Sequence, residues 1–249
     1  MKKLMMIAVA ISLGACATPR AYNHIDVEAR PLITQLETTL IVAQSEIGSE
    51  IDVYYSGDGL IPALIDANIN AKRTSKAEEF IAPVRDAMID FDFGATLESD
   101  LINAFTTGHV DGTDRVKLVR GIDTDFKQNA VQNSEADAVM FIDASYNISA
   151  NFGEMIASAV VQIFPVSPNL RPFSEKPDQD DKLVELTDNI YRNAFRTSTA
   201  LSAMADRDSN ARIVSEMTSE ELTKALSDAA TLIAKQIAAD ILRDDTDDN

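Results

Sequence analysis

The sequence holds only two histidines, His24 and His109. Hydrolytic chemistry needs a nucleophile, a base and an acid that orients the base, so imidazole-based catalysis has only these two starting points. His109 follows Gly108 and stands close to Asp111 and Asp114. That spacing could offer a metal one imidazole and two carboxylates, but a solvent-exposed loop histidine explains it more simply. His24 lies near the N-terminus in a stretch without apolar periodicity. The segment Asp111-Gly112-Thr113-Asp114 lacks the ligand spacing of a calcium loop and reads as a turn. No Gly-x-Ser-x-Gly elbow, phosphate loop or dinucleotide fingerprint is present.

Asp90-Phe91-Asp92-Phe93-Gly94 contains the letters of the triplet with which kinases hold magnesium. No glycine-rich loop or catalytic-loop motif accompanies it, so Phe91 and Phe93 are expected to be core anchors between helices. Carboxylates are so abundant, 40 Asp and Glu against 22 Lys and Arg, that no single pair stands out as an acid–base site. Neither a cofactor nor a metal is expected, and the chain is read as not an enzyme.

The one cysteine, Cys16, has a more specific setting. Met1-Lys2-Lys3 is positive, and an apolar run of about ten residues follows from Leu4. This matches the core of a signal peptide and falls short of the roughly 20 residues of a membrane span. Leu13-Gly14-Ala15-Cys16 comes next and resembles the lipobox of bacterial lipoproteins. Small Gly14 and Ala15 let a peptidase reach extended backbone and cut between Ala15 and Cys16. The resemblance implies that the Cys16 thiol takes a diacylglyceryl group and that its freed amine takes a third chain. Two chains already anchor stably, at about 0.8 kcal/mol per buried methylene. Ala17 after the cysteine implies the outer membrane, with the domain on the periplasmic face.

Formal net charge is -18 at pH 7, and losing Lys2 and Lys3 with the leader makes the chain more acidic still. Such a surface repels nucleic acid and anionic headgroups, so no nucleic-acid partner is expected. With 249 residues, 45% of them hydrophobic, the chain can bury one substantial core. It has no disulfide framework to rely on.

The expected organisation is a signal peptide over 1–15, the lipidated cysteine and a tether over 16–31, one domain over 32–243 and an acidic tail over 244–249. Residues 36–43 and 50–55 are rich in β formers and read as strands, with a break at 56–59. Helices follow at Leu60, Leu64 and Ile65. A further helix is capped by Ser75 with Glu78, broken near Pro83 and continued by Val84, Met88 and Ile89. Leu97, Leu101, Ile102 and Phe105 mark another helix ending near Gly108. Residues 115–122 read as an edge strand and 125–133 as a helix.

Over 138–150, Met140, Ile142, Ala144, Tyr146 and Ile148 alternate with Phe141, Asp143, Ser145 and Asn147, the pattern of a half-buried strand. Asn151-Phe152-Gly153-Glu154 is a turn, and 155–164 returns as the second strand of a hairpin. Residues 190–199 extend the hairpin to a meander after a proline-containing loop over 167–181. Thr218 and Glu221 cap a long final helix, with Leu222, Leu226, Ala229, Ile233, Ile237 and Ile241 as its apolar stripe.

The expected fold class is α+β, an α/β sandwich in which a mixed sheet packs against helices. This element order, over 36–242, resembles the periplasmic domain of curli-secretion pore lipoproteins, penicillin-binding-protein activator lipoproteins and the amino-terminal domain of the Tol translocation protein. The resemblance implies the fold and no site residue.

The expected function is a lipid-anchored, non-catalytic envelope component that binds another envelope protein or itself. An export or pore component using the 138–164 hairpin is one alternative, since each strand has the roughly 9–11 residues of a tilted membrane strand. A regulator of peptidoglycan synthesis is the other.

Overall fold

The computed structural model describes residues 24–50, 60–108, 110, 115–121, 123, 125–174 and 188–243, with backbone alone for 60–68. The leader, the lipobox, all but Glu50 of the second expected strand, the break at 56–59, His109 and the 111–114 turn all lie outside the described residues, as does the acidic tail.

A six-stranded mixed sheet forms the centre. Its strands are β1 (Leu36–Ile41), β2 (Gly48–Ser49), β3 (Val116–Val119), β4 (Ala138–Ile148), β5 (Glu154–Pro165) and β6 (Tyr191–Ala200), in the order β3-β1-β4-β5-β6, with β2 also on β4. β1 runs parallel to both neighbours, with Leu40 opposite Leu118 on one side and Ile142 on the other. β4, β5 and β6 are the expected antiparallel meander, in register Ile142–Val161–Asn193.

Helices α1 (Leu60–Ala87), α2 (Phe93–Gly108), α4 (Arg207–Ser215) and α5 (Ser219–Ile241) gather around one large core, which includes Met140, Ile142, Val161 and Ile163 of the sheet. The short α3 (Phe126–Asn133) covers a second cluster on the opposite face, built on Ile41, Val139, Phe141 and Phe164. Phe141 was expected on the polar side of its strand. It is fully buried, because α3 covers the N-terminal half of that side. The described sheet is open, and the hairpin is its middle rather than a free ribbon. The alternating apolar side of β4 is covered by helices, α5 among them.

α5 forms as its sequence dictates. Thr218 Oγ1 accepts from Glu221 N–H at 3.2 Å, and Glu221 accepts from Thr218 N–H at 2.9 Å, closing the capping box. The stripe from Leu222 to Ile241 is buried along its length. Its five Leu and Ile side chains stabilise the fold by on the order of 10 kcal/mol before entropy is counted.

The hairpin turn has Phe152 at φ 59, the left-handed region. Its side chain is fully buried, edge-on to Phe80 at 5.7 Å, with the Arg207 guanidinium 5.4 Å from the ring. That burial offsets the roughly 1–2 kcal/mol that a left-handed residue costs. Asn151 Oδ1 accepts from Ser149 Oγ at 2.7 Å and Gly153 N–H at 2.9 Å. Asn210 of α4 donates to the Asn151 carbonyl at 3.0 Å and so pins the turn to the helical layer.

Four expectations change. Ser75 and Glu78 do not cap a helix, because α1 runs unbroken through both, and Glu78 instead pairs with Arg85 at 2.7 Å. Pro83 does not break α1 either. It lies inside α1 on an exposed side, and the helix continues through it to Ala87. Ile89 is not core but 80% exposed, since the helix has ended before it. The stretch up to residue 31 is not all tether: Ile25 and Ala29 are buried in the main core, and Arg30 donates to the Leu242 carbonyl at 3.1 Å.

Candidate functional site

In open α/β sheets, the carboxyl ends of the parallel strands are where a crevice forms. The ends of β3, β1 and β4 bring together Arg120, Gln44 and Tyr146 in this way. Two adjoining hollows of about 320 Å³ each lie there and share Ser45, Ile89, Phe91 and Tyr146 as walls. The Gln44 side chain donates to the Tyr146 carbonyl at 2.6 Å and accepts from its N–H at 3.3 Å, which prolongs the strand pairing beyond β1. The Tyr146 ring lies on Phe93, with centroids 4.5 Å apart. Phe93 is thus the anchor its sequence implied, and Phe91 is half-buried beside it.

Both arginines of this cleft are paired, while Asp86 and Asp90 add carboxylates to its walls. Asp92 caps the start of α2 by accepting from Ala95 N–H at 2.9 Å, and its other oxygen holds Arg120. The Arg120 guanidinium, helped by that N–H, keeps the Asp92 carboxyl below its ordinary range. Arg85 donates to the Ile47 carbonyl at 2.9 Å and pairs with Glu78 and, at 3.5 Å, Glu46. Burial, reinforced by Asp92, pushes the Tyr146 hydroxyl above its ordinary value, so it stays protonated at neutral pH. The cleft therefore offers hydroxyls, an amide, paired ions and the carboxylates of Asp86 and Asp90. His24 lies at Asp240 instead, and His109 is outside the described residues. Among the described residues no group of three His, Cys, Asp or Glu side chains is placed to hold a metal.

A second polar cluster joins the last turn of α5 to β6. Asp240 accepts from the Tyr191 hydroxyl at 2.5 Å and from Asn193 Nδ2 at 2.8 Å, and His24 Nδ1 lies 3.8 Å away. Burial and the Asp240 charge hold the Tyr191 hydroxyl in its protonated form.

Beside this cluster, α2 and α5 diverge around a groove of about 580 Å³. Ala104 and Gly108 face Ala238, Ala239 and Leu242, while Asp100, Thr231 and Lys235 stand on its rim. A Cβ at Gly108 would come within 3.0 Å of Leu242, so the groove owes its depth to small residues.

The remaining exposed feature is β6. Among the described residues its outer edge pairs with no strand, and Ala194, Arg196, Ser198 and Ala200 are exposed along it. Natural edges are usually shortened, bulged or studded with lysine and proline. This one is ten residues long, without lysine or proline; of its two arginines, Arg196 is engaged by Glu50 at 2.7 Å and Arg192 is half-buried. The β formers of 190–199 imply the strand, but nothing in the sequence marks it as an edge.

No family model matches the chain, and no curated protein matches it. Among solved structures, a dodecameric PelC variant from Paraburkholderia phytofirmans aligns over 89% of this chain and 95% of its own, at 10% identity and a TM-score of 0.31. The Xanthomonas campestris protein XCC0632 aligns over 88% of this chain and 90% of its own, at 10% identity and 0.32. A candidate lipoprotein from Caulobacter crescentus aligns over 60% of this chain and 80% of its own, at 13% identity and 0.28. At TM-scores near 0.3, none of the three defines a role for this chain.

Proposed function

We propose that this chain is a lipid-anchored envelope protein whose α/β domain acts as a binding or assembly component rather than a catalyst. The anchor is Cys16, the membrane is the outer one and the domain lies on its periplasmic side. Leu13-Gly14-Ala15-Cys16 after a short positive and apolar leader supports the anchor. No helix among the described residues is long and apolar enough to cross a membrane.

One observation carries the binding role: the ten-residue β6 edge, which pairs with no strand among the described residues. A strand edge without blocking residues is a template on which a partner protein adds its own strand, with backbone hydrogen bonds giving affinity. The cleft supports the same reading, since its arginines are each neutralised by carboxylates of the fold.

The test is a photo-crosslinking residue placed in turn at Ser198 and at Asp228, an exposed position on α5, in living cells. The expected result is a protein adduct of defined mass from Ser198 and none from Asp228. Its mass then tells a second copy from another envelope protein. Equal labelling at the two sites, or none at Ser198 in a folded protein, would overturn the edge as the docking surface. The anchor is tested separately by the mass of the mature N-terminus, which is expected to be an acylated Cys16.

A further inference from the structure

We propose that the groove between α2 and α5 seats an acyl chain carried by this chain's own Cys16. The proposal rests on the reading of Cys16 as a lipid anchor and adds where one of its chains goes.

The groove has the chemistry for methylenes. Its floor is made by Ala104, Gly108, Ala238 and Leu242, and its volume of about 580 Å³ lies within the roughly 300–1,000 Å³ of small-molecule pockets. Asp100, the acid on its rim, is engaged by the Thr231 hydroxyl at 2.9 Å, so the mouth is polar and the interior is not. A site of this kind accepts a hydrocarbon chain and leaves a charged headgroup outside.

The position of the N-terminus selects the occupant. His24 lies 3.8 Å from Asp240, on the same helix as Ala238 and Ala239. The next residue, Ile25, lines a hollow of about 120 Å³ that shares Leu242 with the groove. Only residues 17–23 separate His24 from Cys16. Fully extended, that segment spans at most about 28 Å. The groove side of α5, from Thr231 to Leu242, is about 16 Å long. The acyl-bearing cysteine is thus leashed near the Leu242 end of an apolar groove whose whole length lies within its reach. An anionic lipid surface is the weaker candidate for this face, because a chain of net charge -18 repels it.

The experiment feeds cells a palmitic acid analogue bearing a diazirine, illuminates them, and purifies the full-length mature lipoprotein. Mass spectrometry then searches for peptides joined to the Cys16 peptide. The expected result is an intramolecular crosslink from the Cys16 acyl chain to the segments around Ala104 and Ala239. Ala239→Phe, at an exposed position that narrows the groove, is expected to lower that crosslink several-fold without loss of protein, and Thr107→Phe does the same from the other wall. An acylated Cys16 that crosslinks only to membrane lipid or to other proteins overturns the proposal and leaves the anchor standing. Groove peptides joined to phospholipid rather than to Cys16 also overturn it, making the groove a bilayer contact. A Cys16 without acyl groups overturns both.

Discussion

Tyr191 and Asp240 meet at 2.5 Å, hydroxyl to carboxylate, where the start of β6 passes under the last turn of α5. The contact ties the meander to the long helix at the end of the molecule where the described chain begins. Removing one partner leaves a partly buried carboxylate under-satisfied, which costs more than the bond itself contributes.

Tyr191→Phe is therefore expected to destabilise the domain by about 1–3 kcal/mol. The urea midpoint should fall with an unchanged slope. A midpoint equal to that of the parent protein would show that Asn193 satisfies Asp240 alone.

Phe152 combines a left-handed backbone with a buried ring, and two substitutions separate these roles. Phe152→Ala loses the ring and keeps the strain, for a cost of about 3–5 kcal/mol. Phe152→Gly loses the same ring but is free at positive φ, and should be the more stable of the two by about 1 kcal/mol. Thermal unfolding of the pair decides, and Ala at or above Gly would refute the strain.

Only one of the two Ser/Thr–Glu pairs read from the sequence caps a helix. Thr218→Ala is expected to cost about 1 kcal/mol, the usual loss of an N-cap. Ser75→Ala, at an exposed position inside α1, is expected to be neutral or slightly stabilising, because alanine is the better helix former. Equal losses at the two sites would mean that α1 is interrupted at Ser75.

Acid should unlock the loop before β1. Asp137 accepts from the Thr34 hydroxyl at 2.7 Å and from the backbone N–H groups of Thr34 and Gln35 at 2.8 and 2.9 Å. These bonds hold its carboxyl below the ordinary carboxylate range. A group with a lowered folded pKa contributes stability above its unfolded value, about 3.9, and loses it as pH falls through the folded value. Asp137→Asn should therefore lower the urea midpoint at pH 7 and flatten its decline below about pH 4. Parallel curves for the two proteins would exclude Asp137 as a source of that decline.

The parts of the fold legible in the sequence were those in which one element carries its own signal. α5 has a cap pair and a stripe of a single period, β4 alternates up to a turn from which β5 returns, and β6 is rich in β formers. Phe141 was misplaced because its burial comes from α3, a separate element that no pattern within β4 announces. Pro83 marks no break because α1 carries an exposed proline within its length, held by the packing of Ile81 and Val84 on the core. α4 was missed although its cap was present: Asp206 accepts from Ser209 N–H at 2.9 Å, just ahead of buried Ala211 and Val214. The cleft was not legible at all, since Gln44, Asp92, Arg120 and Tyr146 meet only through sheet order.

That sheet order also sets a schedule for assembly. Thr38 of β1 pairs with Val116 on one side and Met140 on the other, so a nascent chain presents its first strand long before either neighbour has been synthesised. The β4–β5 hairpin closes through a tight turn, and β6 and α5 follow in the same half of the chain, whereas β1 closes only across far longer separations. Until then it is a bare, β-prone ribbon, and the segment around Thr38–Ile41 is where a holding chaperone would be needed.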